Sequence, residues 1–204
     1  MVEEQIKARG ILNKEVINAM TEVKRHLFVP ENLINKAYGD YQLSIGFDQT
    51  ISQPYIVAYM TEILGLKKDD KVLEIGTGLG YQAAILSRLC SEVYTIEIVN
   101  ELSVRAQKII KSQGYNNIYF KVGDGYMGWQ EHAPFNAIIV TCAPENIPPA
   151  LEEQLAEGGR MIIPVGRSYV QKLVLIKKVN GKMKEQTVLT VRFFPMVDEN
   201  GNSY

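Results

Sequence analysis

Apolar runs and helical stretches alternate along the chain from Lys71 onward. Residues 72–75, 93–98, 118–122, 137–141 and 161–165 read as strands, and 81–89, 101–112 and 149–155 as helices. Gly114 ends the second of these helices, and Gly158-Gly159 is expected to stop the third. The run 137–141 is nearly all apolar, as expected of a strand covered on both faces. Alternation of this kind builds a parallel sheet with right-handed crossovers. The end of the chain differs. Runs 173–179 and 188–194 flank Asn180-Gly181, a hairpin signal, so the sheet is expected to finish antiparallel. Residues 1–40 read as short helices. Val16, Ile17 and Met20 fall at helical spacing, and Glu31 to Ile34 follow Pro30 as a helix start. The stretch SIGFDQTISQ is small and polar. From Pro54 it turns helical, with Ile56, Tyr59, Met60 and Ile63 as the expected core stripe.

Composition narrows the function classes. The 204 residues are 46% hydrophobic, enough for a sizeable core. Lys and Arg (22) nearly balance Asp and Glu (23), which leaves no basic excess for a nucleic-acid partner. No apolar run approaches the ~20 residues of a membrane span. The charged start MVEEQIKARGI lacks the apolar centre of a signal peptide. Cys90 and Cys142 sit in apolar contexts without a CxxC, which fits a reducing, cytoplasmic setting. With only His26 and His132 and no paired thiols, no metal site is expected.

The candidate chemistry centres on KVLEIGTGLGYQAAIL, where Gly76, Gly78 and Gly80 follow the first strand of the alternating region. Ligands of open parallel sheets bind beyond the carboxyl ends of the strands. A dinucleotide fingerprint wants a third glycine at position 81, which is Tyr81. Glu74, just before the loop, would repel a pyrophosphate and suit a cationic ligand. S-adenosylmethionine carries an ammonium and a sulfonium and no phosphate. Glu97, about twenty residues on, is placed to accept ribose hydroxyls, and Asp124 in Gly123-Asp124-Gly125 to meet the adenine. The competing reading makes the loop a packing turn and the acids solvated strand ends. The series of features favours a Rossmann-like α/β methyltransferase fold, with Gly76, Thr77, Gly78, Gly80 and Gly125 completing the expected cofactor set.

The chain resembles the protein-L-isoaspartate (D-aspartate) O-methyltransferase family. VLEIGTGLGYQAA, QTISQP, IIVTCAP, GGRMIIPVG and VRFFPMV carry the resemblance, from about residue 3 to 197. QTISQP and the T-x-A-P after the fourth strand are its more specific parts. The resemblance implies the class I S-adenosylmethionine-dependent fold, mostly parallel with a C-terminal antiparallel hairpin and N-terminal helices. It implies one methyltransferase domain over 1–204, with helices and substrate loop in 1–65 and the cofactor-binding sheet in 66–204. The activity implied is methylation of the free α-carboxylate of isoaspartyl residues in ageing proteins. The ester then closes to a succinimide, part of which reopens as aspartate. A monomer without nucleic-acid or membrane partners is expected. Three departures stand out. Asn136 replaces a usual Asp and is expected to weaken a secondary cofactor-side contact at most. Cys142 replaces an Ala, and Phe47-Asp48 varies a substrate-side position.

The mechanism expected for such a substrate needs no general base, since an α-carboxylate of pKa about 3.3–3.7 is already ionised at neutral pH. Charge is lost as the anion meets a cationic methyl donor. A fixed cation on the carboxylate would therefore stabilise the reactant more than the transition state, and a neutral hydroxyl positions it better. Ser52 is the candidate catalytic residue, and the resemblance places it in the site. An N-cap of the following helix is its other reading. Gln49, Thr50, Ile51, Gln53, Pro54 and, across the pocket, Thr141 make up the expected substrate-binding set. Cys142 reads as packed rather than nucleophilic, the histidines, Trp129 and Tyr126 as packing or surface residues, and Lys177-Lys178 as a solvated strand end. Alternatives are a base-amino methyltransferase, disfavoured by TCAP in place of N/D-P-P-Y, a small-molecule O-methyltransferase, and a non-catalytic S-adenosylmethionine-binding module.

Overall fold

The apolar runs after Lys71 assemble into one seven-stranded sheet. The computed structural model describes residues 1–167 and 170–204. The sheet strands are β3 (Lys71–Ile75), β4 (Glu92–Glu97), β5 (Ile118–Val122), β6 (Phe135–Val140), β7 (Leu155–Val165), β8 (Gln171–Val179) and β9 (Lys182–Val191). Their spatial order is β5-β4-β3-β6-β7-β8-β9. Pairing is parallel from β5 through β7, and antiparallel at β7–β8 and β8–β9. Asn180 (φ 53°) and Gly181 (φ 72°) make the turn between the last two, as the Asn-Gly signal implies. The final strand starts earlier than its apolar run, at Lys182, because exposed Lys184, Glu185 and Gln186 still pair with β8.

Alternate residues of β3 feed opposite faces. Leu73 and Ile75 pack with Tyr94, Phe135 and Leu151. Val72 packs with Met60, Leu86 and Ile139. Each such side chain contributes about 1.5–3 kcal/mol by leaving water. Helices α3 (Tyr81–Ser87), α4 (Asn100–Ser112) and α5 (Pro149–Glu153) cross between strands. The last is shorter than its pattern implies. Gly158 (φ 74°) and Gly159 do not end it. They lie within β7, where pairing with β6 slips between Phe135 and Ala137. Lys178 is not a solvated end either, since its ammonium donates to the carbonyl of Glu152 in the last turn of α5 and to that of Leu155 just beyond it.

The N-terminal third folds over one face of the sheet. Helix α1 (Lys14–Glu22) buries Val16, Ala19 and Met20 and is capped by Asn13, whose side chain accepts from the N–H of Glu15 and Val16. Residues Glu31–Lys36 form 3-10 turns rather than an α-helix. The polar stretch before Pro54 is a small antiparallel hairpin of β1 (Leu43–Gly46) and β2 (Gln49–Ile51). Phe47 and Asp48 sit at its tip with φ of 55° and 54°, so that departure shapes a turn. In α2 (Pro54–Leu64) the buried positions are Pro54, Val57, Ala58, Met60, Thr61 and Leu64. The expected stripe is thus corrected: of its members only Met60 is fully buried, and Ile56, Tyr59 and Ile63 are half-covered against the sheet. Asn136 is corrected as well. It lies at the opposite end of the sheet from the glycine loop, accepting the N–H of Lys71 at 2.9 Å, and makes no cofactor-side contact. Among the described residues, no helix is long and apolar enough to cross a membrane.

Candidate functional site

The strand order reverses between β3 and β6, and the loops leaving these neighbours meet. Thr141, just past β6, donates its backbone N–H to the Ile75 carbonyl at 2.9 Å. Its hydroxyl reaches the carbonyls of Ile75 and Gly76 at 2.9 and 3.0 Å. Only glycine fits at position 76: φ is 94°, and a Cβ would stand 2.3 Å from Thr141 Oγ1. The single hydroxyl proton of Thr141 is therefore spent on backbone. Thr141 borders each of three adjoining clefts, and it offers them oxygen lone pairs and a methyl group rather than a donor for an anion.

The first cleft lies over the sheet tips. Gly76, Gly78, Glu97, Ile98, Gly125 and Met196 are among the residues that line it. Glu97 is almost fully buried, and each of its oxygens already accepts one backbone N–H, Gly78 at 2.7 Å and Val99 at 3.0 Å. Burial raises its pKa, against the lowering effect of the Val99, Gly78 and Ile98 N–H groups. The remaining lone pairs suit a vicinal diol. At Gly125 a Cβ would meet Ile75 Cγ2 at 2.3 Å, so the chain can run this close to β3 only as glycine. No Lys or Arg among the described residues lines this cleft.

Glu74 does not reach it. The side chain is fully buried beneath the loop, with Oε2 accepting from Thr95 Oγ1 at 2.6 Å and Oε1 without a partner. Burial pushes its pKa up to about 8, partly offset by the Thr95 hydrogen bond, and Glu97 nearby raises it further. It is thus mostly protonated at neutral pH and supplies little charge to a ligand. The expected contact gives way to an internal chain, Glu74 to Thr95 to Thr77, whose last hydroxyl pair is 2.6 Å apart. Gly80 caps the start of α3 from a φ of 90° and packs on Ile110, also away from the cleft.

Asp124 has both oxygens engaged. Oδ1 accepts the N–H of Tyr126 at 2.9 Å, and Oδ2 accepts the hydroxyl of Tyr204. The Tyr204 ring stacks on Tyr126 with centroids 4.0 Å apart. Tyr204 is held there through its carbonyl, which accepts from Glu145 N, and its N–H, which donates to Met196 O. Cys142 lines the first cleft, but burial pushes its thiol up to about 12, reinforced by Glu97 and Asp124, so no nucleophilic thiolate forms. Trp129 and His132 pack on Tyr94, and His26 bonds the Tyr38 hydroxyl through Nδ1.

The second cleft, about 400 Å³, opens beside the first. Gln49, Thr50, Ser52, Gln53 and Thr141 line it, together with Asp40 and residues 190–194 of the chain end. Ile51 and Ser52 also border the smaller third cleft under the glycine loop. Pro54 stands apart, buried at the first turn of α2. Ser52 is not the cap of that helix. The boundary residue is Gln53, and the N–H of Tyr55 is taken by Asp40 Oδ1 at 3.2 Å. Gln53 is committed too, with Nε2 donating to Asp40 O at 3.0 Å and Asp40 Oδ2 at 2.8 Å. Among the described residues nothing takes the Ser52 hydroxyl. Asp40 and Tyr204 escape a sequence reading, since neither falls in a motif or at a local capping spacing.

The model of the protein-L-isoaspartate(D-aspartate) O-methyltransferase family matches residues 1–201. A protein-L-isoaspartate O-methyltransferase of Opitutus terrae is 54% identical over 200 residues, covering 98% of this chain and 86% of the relative. One of Dictyoglomus turgidum is 53% identical, covering 97% and 90%. A solved structure from Plasmodium falciparum, described as a protein-L-isoaspartate O-methyltransferase in complex with S-adenosyl-L-homocysteine, superposes with a TM-score of 0.85 at 26% identity. It covers 96% of each chain.

Proposed function

The chain belongs to the protein-L-isoaspartate(D-aspartate) O-methyltransferase family, and we infer that its two adjoining clefts bring a methyl donor and an isoaspartyl peptide together. It is an S-adenosylmethionine-dependent enzyme that methylates isoaspartyl residues of proteins.

The residues of the first cleft fit that cofactor on physical grounds. Glu97 keeps acceptor capacity toward a ribose, the glycine positions open the backbone, and no Lys or Arg among the described residues lines the cleft to balance a pyrophosphate. Gly76, Gly78, Glu97 and Gly125 line the cleft and would hold it, with Thr77 bracing the loop. Asp124, next to Gly125 but outside the lining, would meet the purine only by exchanging its bond to Tyr204. When bound, S-adenosylmethionine supplies an electrophilic methyl group on a sulfonium.

What this chain's residues do is position the acceptor. The peptide α-carboxylate is ionised without a base. Ser52 donates its hydroxyl to one carboxylate oxygen, leaving the other to attack. A neutral donor avoids overstabilising the anion before its charge is lost. Gln49 and Thr50 flank the carboxylate, and Thr141 closes the cleft behind it without competing as a donor. Alignment is the main contribution, and well-oriented reactants recover roughly 7–11 kcal/mol of barrier. The observation that carries this reading is the Ser52 hydroxyl, unclaimed among the described residues where the peptide cleft meets the small cleft under the glycine loop. A monomer suffices, since one chain lines both clefts. The buried Cys90 and cleft-lining Cys142 favour a reducing, cytoplasmic setting.

Two measurements test the reading. Calorimetry should show S-adenosylhomocysteine binding and no uptake of NAD. The methylated peptide should lose its label in mild base, because the product is an ester. A base-stable methylamine, or NAD binding in place of S-adenosylhomocysteine, would overturn the assignment.

A further inference from the structure

Asp40 stands at the wall of the 400 Å³ cleft, yet the substrate proposed for that cleft is an anion. The carboxylate cannot be dispensed with. It accepts from Gln53 Nε2, Tyr55 N and Arg9 Nη1 together, which uses both of its oxygens. Through Gln53 and Tyr55 it holds the residues on either side of Pro54, and so the turn that presents Ser52. Unpaired, Asp40 would repel the carboxylate that the groove must admit and offset the attraction of Arg192. Arg9 resolves the conflict. It comes from the far N-terminal segment, sets Nη1 2.6 Å from Asp40 Oδ2, and lays its guanidinium over the Tyr55 ring at 3.4 Å from the centroid. Arg192 lines the same cleft from the chain end.

Resting on the reading of this cleft as the peptide groove, we propose that Arg9 sets the charge of the groove wall. It neutralises Asp40, so that an isoaspartyl carboxylate enters while Asp40 still accepts the hydrogen bonds that position Ser52. Arg9 is a specificity-determining residue in this scheme and Asp40 a positioning residue. Neither touches the reacting atoms. The pair is partly open to solvent, with side-chain exposures of 44% and 22%, so its effect should respond to salt.

The test is steady-state kinetics on a short isoaspartyl peptide at about 20 mM and about 1 M salt, where the Debye length shrinks several-fold. Arg9→Met keeps the apolar stem over Tyr55 and removes the charge. Its KM should rise about three- to tenfold at low salt and by less than about twofold at high salt. Arg9→Lys should restore the low-salt KM. Adding Asp40→Asn to Arg9→Met should abolish the salt dependence of the KM, because the unneutralised anion is gone. A KM defect in Arg9→Met that is the same at both salt concentrations would mean that Arg9 only braces the fold, and would overturn the proposal, as would an unchanged KM. If the unaltered enzyme methylates no isoaspartyl peptide, the underlying function fails first. An active enzyme with a salt-insensitive variant sinks this proposal alone.

Discussion

The carboxylate of Asp40 accepts the backbone N–H of Tyr55 at 3.2 Å, and this one hydrogen bond frees Ser52 from helix capping. The two roles open to Ser52 therefore separate in stability experiments. Ser52→Ala should lower turnover on an isoaspartyl peptide ten- to a few-hundredfold, the worth of one charge-assisted hydrogen bond. It should leave the melting temperature and the affinity for S-adenosylhomocysteine in place. Undiminished turnover would remove Ser52 from the mechanism.

Asp40→Ala is expected to show the complementary behaviour. Losing the cap costs about 1 kcal/mol, or roughly 2–4 °C in melting temperature for a chain of this size. A calorimetric scan that places Asp40→Ala level with the parent would show that another group caps α2.

Glu74 makes stability depend on pH in a direction opposite to that of an ion-paired acid. Its folded pKa is raised by burial from 4.5 to about 8. Between those values the folded state holds a proton that the unfolded chain has released, so this group's contribution falls as pH rises across the window. Glu74→Gln keeps a partner for Thr95 without the titrating proton. Its melting temperature should vary less between about pH 5 and pH 8 than that of the parent. Parallel pH profiles would indicate that Glu74 is ionised in the fold.

Tyr204 donates its hydroxyl to Oδ2 of Asp124, the acid proposed to meet the purine, and so competes for that oxygen. Tyr204→Phe should tighten S-adenosylhomocysteine about two- to tenfold, by removing one competing hydrogen bond. Weaker binding in calorimetry would instead make the hydroxyl part of the cofactor's enclosure.

Much of this arrangement is legible in the chain because short-range chemistry encodes it. Runs such as 137–141 read as strands covered on both faces, and Ala137 to Val140 are fully buried in β6, while Asn180-Gly181 states its own turn. The glycine loop announces a close backbone approach, which Thr141 makes literal at Gly76. What escapes notice depends on partners distant in sequence. Asp40 caps a helix fifteen residues away, and Tyr204 meets Asp124 across eighty. The β1–β2 hairpin turns on Phe47 and Asp48 in a conformation that usually selects Gly or Asn. Glu74 looks like a strand-end ligand until its neighbours on both sides of the sheet are known. Its burial replaces the electrostatic case for a cationic ligand with a different one, a donor cleft that no Lys or Arg among the described residues lines.

The most direct measurement pairs two peptides that differ only in one linkage. With labelled S-adenosylmethionine, a peptide carrying an isoaspartyl residue should accept methyl groups, and its normal aspartyl twin should not. Equal labelling of both, or of neither, would contradict a groove built to seat the isoaspartyl α-carboxylate against Ser52.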